Sequence, residues 1–175
     1  MKKLTILLMA TILSLSLSAQ NVEEPVFIGE AKMLNADDTG TLLEKSTIQL
    51  QVQSTGFTVV TKMVLPGCCA RVRAQSGNLQ IIVRAVDNNS DPLSIIQVIK
   101  FDSKKKKRTA ELSSASGWTA KSGKLKLVPF SGAKYGTNSY LLTITGIGAG
   151  EYGITVSNPN VRDEKVTVVS CFGID

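Results

Sequence analysis

The chain has 175 residues, 43% of them hydrophobic and only 5% aromatic, with a net charge of +6 and no histidine. That length holds one ordinary domain with a real core. The missing imidazole excludes the serine and cysteine triads that depend on it, and most catalytic zinc and iron sites.

In chain order, "MKK" supplies a short positive segment, and Leu4 to Leu17 an apolar run of 14 residues. "SLSAQ" then offers small residues for cleavage after Ser18 or Ala19. The run is too short for a stable spanning helix, which takes about 20 residues. No cysteine follows it to carry a lipid. Residues 1–19 are therefore expected to be a signal peptide, and 20–175 a single exported domain with no transmembrane segment after cleavage. Loss of Lys2 and Lys3 leaves 18 basic residues against 14 acidic, a net charge of +4. Within that domain, Lys100 to Lys134 carries ten basic residues and two acidic ones. The positive charge is one block.

The mature sequence predicts strand after strand. "VFIGEAKML" and "TLLEKS" flank the turn signal "NADDTG" and predict a hairpin. "TIQLQVQ" alternates, with Ile48, Leu50 and Val52 on a buried face and glutamines on the other. "FTVVTKMVL" is β-branched and stops at Pro66-Gly67. "LQIIVRAV" ends in "DNNSDP", a cluster of turn formers. "SIIQVIKF" is apolar on both faces, as in a strand buried on both sides. A short helix is the alternative there, with Asp91 as N-cap and Pro92 as first residue. After "FDSKKKKRTAEL" come the Gly/Ser-rich "SSASGWTAKSG" and the strands "KLKLVPF", "SYLLTITGI", "EYGITVSN" and "EKVTVVSCF". Nine to eleven short strands without a long amphipathic helix predict an all-β, Greek-key (immunoglobulin-like) β-sandwich. Tyr152, after the turn Gly148-Ala149-Gly150, is placed to bond back to the backbone and pin a crossover between the sheets.

Few residue patterns suggest chemistry. Acids are scattered and are expected to be solvated, with Glu23 and Glu24 in a mobile N-terminus and Asp163 and Glu164 in a turn. "SGAK", Ser131 to Lys134, matches the S-x-x-K spacing of penicillin-binding enzymes. It lacks a helix to bring amine to hydroxyl, and is expected to be a turn. Asn35, Asp37 and Thr39, and again Asp87, Asn89 and Asp91, alternate as calcium ligands do, but without the distal acid such loops require. Asx-turn chemistry accounts for both, and no metal or cofactor is expected. Asn88-Asn89-Ser90 is a glycosylation acceptor only in a host that glycosylates.

Cys68 and Cys69 are adjacent, and adjacent cysteines rarely bond each other because the small ring strains the preferred geometry. A bridge from Cys171 to Cys68 or Cys69 is the disulfide alternative to buried thiols. Lys104, Lys105, Lys106, Lys107 and Arg108, with Lys124 and Lys126 if their strands are neighbours, form the candidate ligand site, for a polyanion. Lysines at strand ends also keep sheets from pairing edge to edge, so a solvated hairpin end competes with that reading. Trp118, Phe130, Tyr135 and Tyr140 are the aromatic side chains near the block.

"DNNSDPLSIIQVIKFDSKKKKRTAEL", "KLKLVPFSGAKYGTNSYLLTITGIGAGEYGITVSNP" and "VVSCFGID" together resemble small secreted β-rich proteins of the Bacteroidetes type, as does "SAQN" after the leader. The resemblance spans about residues 80–175. It implies a bacterial, exported, β-rich domain, transfers no catalytic residue, and makes the basic hairpin part of the scaffold. The expectation is a non-catalytic interaction or structural module of the periplasm or cell surface, with a protein or envelope partner. The alternative is a polyanion-binding module, its ligand a lipopolysaccharide, an acidic glycan or DNA.

Overall fold

The computed structural model describes residues 22–116, 119–122, 125–158 and 167–175. The expected leader, Trp118, Lys124, Asp163 and Glu164 lie outside them. Two antiparallel sheets pack face to face, an all-β sandwich, with β-branched and apolar strands supplying both inner faces. Its first strands are β1 (Ala31–Leu34), β2 (Gly40–Leu42), β3 (Glu44–Thr47), β4 (Gln49–Thr55), β5 (Thr58–Pro66), β6 (Arg73–Ala74) and β7 (Gly77–Arg84). Then come β8 (Ile96–Lys104), β9 (Lys107–Ser116), β10 (Thr119–Ser122), β11 (Lys126–Leu127) and β12 (Ser131–Tyr135). The last are β13 (Ser139–Ile147), β14 (Gly150–Val156) and β15 (Val168–Ile174). Segments outnumber the expected strands because long stretches divide at bends and several pairings span only two to four residues.

The first sheet runs β12-β13-β7-β1-β2, and the second β3-β15-β14-β8-β9-β5-β4. At the side, β10 joins β9, β11 joins β8, and β6 runs parallel to β15. The predicted hairpin around "NADDTG" is β1-β2, with Leu34 opposite Gly40. "SIIQVIKF" contains both predicted elements. Asp91 accepts from the Leu93 amide and caps a single helical turn, α1 (Pro92–Ile95), which passes directly into β8.

The second sheet is apolar on both sides at its centre. Ile96 and Val98 of β8, Tyr152 and Ile154 of β14, and Phe172 and Ile174 of β15 meet Ile81, Val83, Tyr140, Leu142 and Ile144 of the first sheet. The opposite face carries Ile99, Phe101, Val169 and Cys171, which pack with Ile48, Leu65, Ala70 and Ala110. That second cluster exists because the sheet closes on itself. β3 begins the strand order and β4 ends it, yet only Ile48 separates them. The segment 44–55 thus pairs with β15 through its first half and with β5 through its second.

The crossover from β13 to β14 is held as expected, with the Tyr152 hydroxyl donating to the Gly148 carbonyl at 2.7 Å. The N-terminal segment is not mobile. The Glu24 carboxylate accepts from the amides of Thr137 and Asn138, from the Ser139 hydroxyl and from Arg84. Tyr135 donates its hydroxyl to the Val22 carbonyl. This clasp ties the entering chain to the β12-β13 turn.

Partial burial works against ionisation of Glu24, but the bonds from Ser139, Thr137 and Asn138 and the charge of Arg84 outweigh it and hold its pKa below the ordinary 4.5. A carboxylate depressed by folding contributes stability above its unfolded pKa, and that stability is lost as pH falls through the folded value. Glu24→Gln is expected to cost about 1–2 kcal/mol at pH 7. The difference from wild type should shrink steadily below about pH 4.5, read by denaturant unfolding across pH.

Candidate functional site

Lys104 to Arg108 close the β8-β9 hairpin, with Lys104 opposite Lys107 across the two-residue turn Lys105-Lys106. Lys104, Lys105 and Lys106 are exposed and Lys107 is half-buried, its amine 3.4 Å from Gln51 Oε1. The tip is braced by the neighbouring turn after β5, through Gly67 N–H to Lys106 O at 3.0 Å and Ser103 Oγ to Cys68 O at 2.7 Å. So far the basic run is what the sequence predicts, the end of a hairpin.

Arg108 is a correction. It is 1% exposed and points into the closed end of the second sheet. Its register explains this. Lys107 opposes Pro66 and Arg108 opposes Leu65, so the side chain shares the inner face with the second cluster. Nη2 donates to the Pro66 carbonyl at 3.2 Å and lies 3.6 Å from Glu44 Oε1, and Nη1 lies 3.9 Å from Glu151 Oε2. The last contact is within ion-pair range but too long for a hydrogen bond, and Nε and Nη1 lack a hydrogen-bond partner. The cation is held by two carboxylates that are themselves committed. Glu151 also accepts from the Ala70 amide at 2.7 Å and from Arg73, and Glu44 from the Arg71 amide at 2.8 Å. Arg73 also binds Asp175 and lies flat on β15, where a Cβ at Gly173 would overlap its guanidinium. The expectation that the acids are solvated fails for Glu44, Glu151, Glu24 and Glu30, the last held by Lys45 and the Phe27 amide.

Lys126 does lie on a strand beside β8, opposite Lys100, and pairs with Asp102 at 2.7 Å. Together with Ala110 and Glu111 these residues line a cleft of about 350 Å³ whose charges are mixed. The predicted seven-residue basic site thus contracts. Lys104–Lys106 are exposed with the half-buried Lys107 beside them, Lys126 is paired with an acid, Arg108 is interior, and Lys124 lies outside the described residues.

The cysteines meet the buried-thiol expectation at Cys171 and depart from it at the other two. Cys68 and Cys69 are bonded to each other, and Cys171 is a free buried thiol, so the bridge from Cys171 to either is not made. The residue that this turn sends inward towards Cys171 is Ala70, while Cys69 is exposed. Burial pushes the Cys171 thiol up to about 11, with Arg108 opposing the shift.

Other candidates are absorbed locally. Ser131 and Lys134 lie on β12, a strand and not a turn, where residues three apart point to opposite faces. Asp37 accepts from Thr39, Asp87 from the Asn89 amide, and Asp91 from the Leu93 amide, all Asx-type bonds. Asn88 is buried and its amide donates to the carbonyls of Gly136 and Ser139.

One surface was missed in the sequence. The β4-β5 hairpin turns through Gly56 (φ +58°), the first central position of a two-residue turn, and Phe57, which is 91% exposed. Ile48 is buried as predicted, but Leu50 and Val52 are 59% and 65% exposed, and Val59 is exposed beside them. The alternation is real; the face it creates has nothing packed over it among the described residues. The available signal was charge, since Ser46 to Thr61 holds none.

Comparison of the chain with protein-family models, curated proteins and solved structures finds no match.

Arg108→Ala is expected to destabilise the domain by about 3–5 kcal/mol, because it leaves a cavity beside the second cluster and removes the cation that Glu44 and Glu151 share. Arg108→Met, which fills the space, should still lose stability. Lys105→Ala, at the exposed tip, should change it by less than about 0.5 kcal/mol. Denaturant midpoints of the three variants check the contrast.

Proposed function

We propose that the chain is an exported, non-catalytic β-sandwich that acts as an interaction or structural module in the periplasm or at the cell surface of a bacterium. The observation that carries this reading is the tip of the β4-β5 hairpin, within the uncharged stretch Ser46–Thr61, which offers Leu50, Val52, Phe57 and Val59 to solvent. An apolar surface of this kind on a small domain fits a contact with another protein better than it fits free solution. The leader-like N-terminus supplies the export. The resemblance of residues 80–175 to small secreted Bacteroidetes-type proteins agrees with that setting. The non-catalytic assignment rests on the lack of histidine and on the separation of Ser131 from Lys134.

Expression of the full chain in a Gram-negative host, followed by fractionation and mass spectrometry, tests the reading. The expected product is an envelope or released protein that begins after Ser18 or Ala19 and is inactive on ester, peptide and glycoside substrates. An intact cytoplasmic chain, or turnover that co-purifies with the protein, contradicts it.

A second reading is supported by the four clustered lysines at the β8-β9 tip, which suit the phosphates or sulfates of a polyanion. On immobilised heparin, Lys104–Lys107→Gln should elute at distinctly lower salt than wild type. Co-elution of the two removes the polyanion from the account.

A further inference from the structure

We propose that Cys68–Cys69 is a redox-active disulfide that exchanges with small anionic thiols, drawn in by the charges of Lys104, Lys105 and Lys106. The inference goes beyond the interaction reading and does not rest on it.

The pair lies in the turn between β5 and β6, with Cys69 exposed and Cys68 half-buried. A disulfide stabilises a fold mainly by closing a loop of the unfolded chain, more so for longer loops. This one joins neighbours in the sequence, so it ties no distant segments together. A role as a staple therefore explains it poorly. Exposure to solvent suits exchange instead, since exposed disulfides are the labile and reactive ones.

The backbone is held on both sides of the pair. Before it, the Pro66 carbonyl accepts from Arg108 and the Gly67 amide donates to the Lys106 carbonyl. After it, the Ala70 and Arg71 amides donate to Glu151 and Glu44. The Cys68 carbonyl itself accepts from Ser103 Oγ at 2.7 Å. None of these bonds involves a sulfur atom. The turn keeps its place when the S–S bond opens, and the two thiols stay adjacent for it to form again.

The charge around the pair is one-sided. The bonds from Ser103 and to Lys106 fasten the turn to the β8-β9 tip, the segment that carries Lys104, Lys105 and Lys106. All three lysines are exposed, and among the described residues none is paired with an acid. Their charges act over a screening length of about 10 Å at 0.1 M salt. The nearby acids are already answered: Glu44 by Arg71 and Arg108, Glu151 by Arg73 and Arg108, Asp102 by Lys126. A positive, partly exposed setting concentrates an anionic thiol and stabilises the thiolate that leaves. The basic run and the adjacent cysteines thus form one site.

The exchange has two steps. An incoming thiolate bonds to the exposed Cys69 Sγ, and the electron pair of the broken S–S bond leaves on Cys68 Sγ, which takes a proton. A second thiolate then attacks the sulfur of the bound thiol and releases Cys69, which takes the other proton. Two small thiols become one disulfide, and the pair gains two electrons and two protons. The same small disulfide is the oxidant for the return.

The full chain purified without reductant is the starting material, and 2-mercaptoethanesulfonate the anionic thiol. Reduction is expected in the folded state, with the circular dichroism spectrum unchanged. Trapping with iodoacetamide and mass spectrometry should place two labels on the peptide that holds Cys68 and Cys69, and none on the buried Cys171. Lys104→Gln, Lys105→Gln and Lys106→Gln together should slow this thiol at low salt by about threefold more than they slow neutral 2-mercaptoethanol. Added salt should remove that difference. Cys68 and Cys69 found free in the chain purified without reductant would overturn the proposal. So would a bond that opens only as the domain unfolds, or a variant that slows both thiols equally.

Discussion

A buried guanidinium organises the second half of this fold. Arg108 ends a run of five basic residues, yet is buried opposite Leu65 and beside Cys171, with Glu44 and Glu151 within ion-pair range. Burying a cation is expensive unless its partners converge on it. Here those partners come from distant segments: Glu44 opens the strand that closes the sheet, and Glu151 opens the strand after the Tyr152 crossover. The carboxylates are held in turn by amides of the Ala70-Arg71 turn, so that turn, with Cys68-Cys69 at its outer end, is part of the same network. The network fixes where the sheet closes. It contributes specificity of arrangement more than net stability, since its charge contacts to Arg108 are long and two guanidinium nitrogens are unsatisfied.

Closure has a consequence for the surface. The segment 44–55 serves two neighbours on opposite edges, β15 for its first half and β5 for its second. Past Ile48 no strand among the described residues pairs with the β15 side, Leu50 and Val52 are exposed, and Gln53 and Gln51 accept from Lys62 and Lys107. The lysines that look like a site in the sequence close a different hairpin, β8-β9.

Strand content, the layered all-β class, the capped turn at Asp91-Pro92 and the Tyr152 corner were legible because each depends on residues close in sequence. Period-two alternation and turn chemistry encode such features locally. Strand order was not legible. The immunoglobulin-like Greek key expected at the outset rested on strand number and one tyrosine, and neither specifies which strands pair. Arg108 was assigned to the exposed run because charge is read as solvated by default. Its burial depends on register against β5 and on acids 64 and 43 residues away in the chain, which no local pattern announces. Leu50 and Val52 failed in the opposite sense. Alternation shows that a face exists, but whether another layer covers it is a tertiary fact. The uncharged run from Ser46 to Thr61 was the one sequence feature that set this face apart.

The account turns on Arg108 lying inside the second sheet beside Glu44 and Glu151, and not with the exposed lysines of its own run. Solvent exchange of the guanidinium Nε–H groups, read by NMR, measures this directly. Arg108 should exchange slowly and the exposed Arg71 quickly. An Arg108 signal that exchanges as fast as that of Arg71 would contradict it.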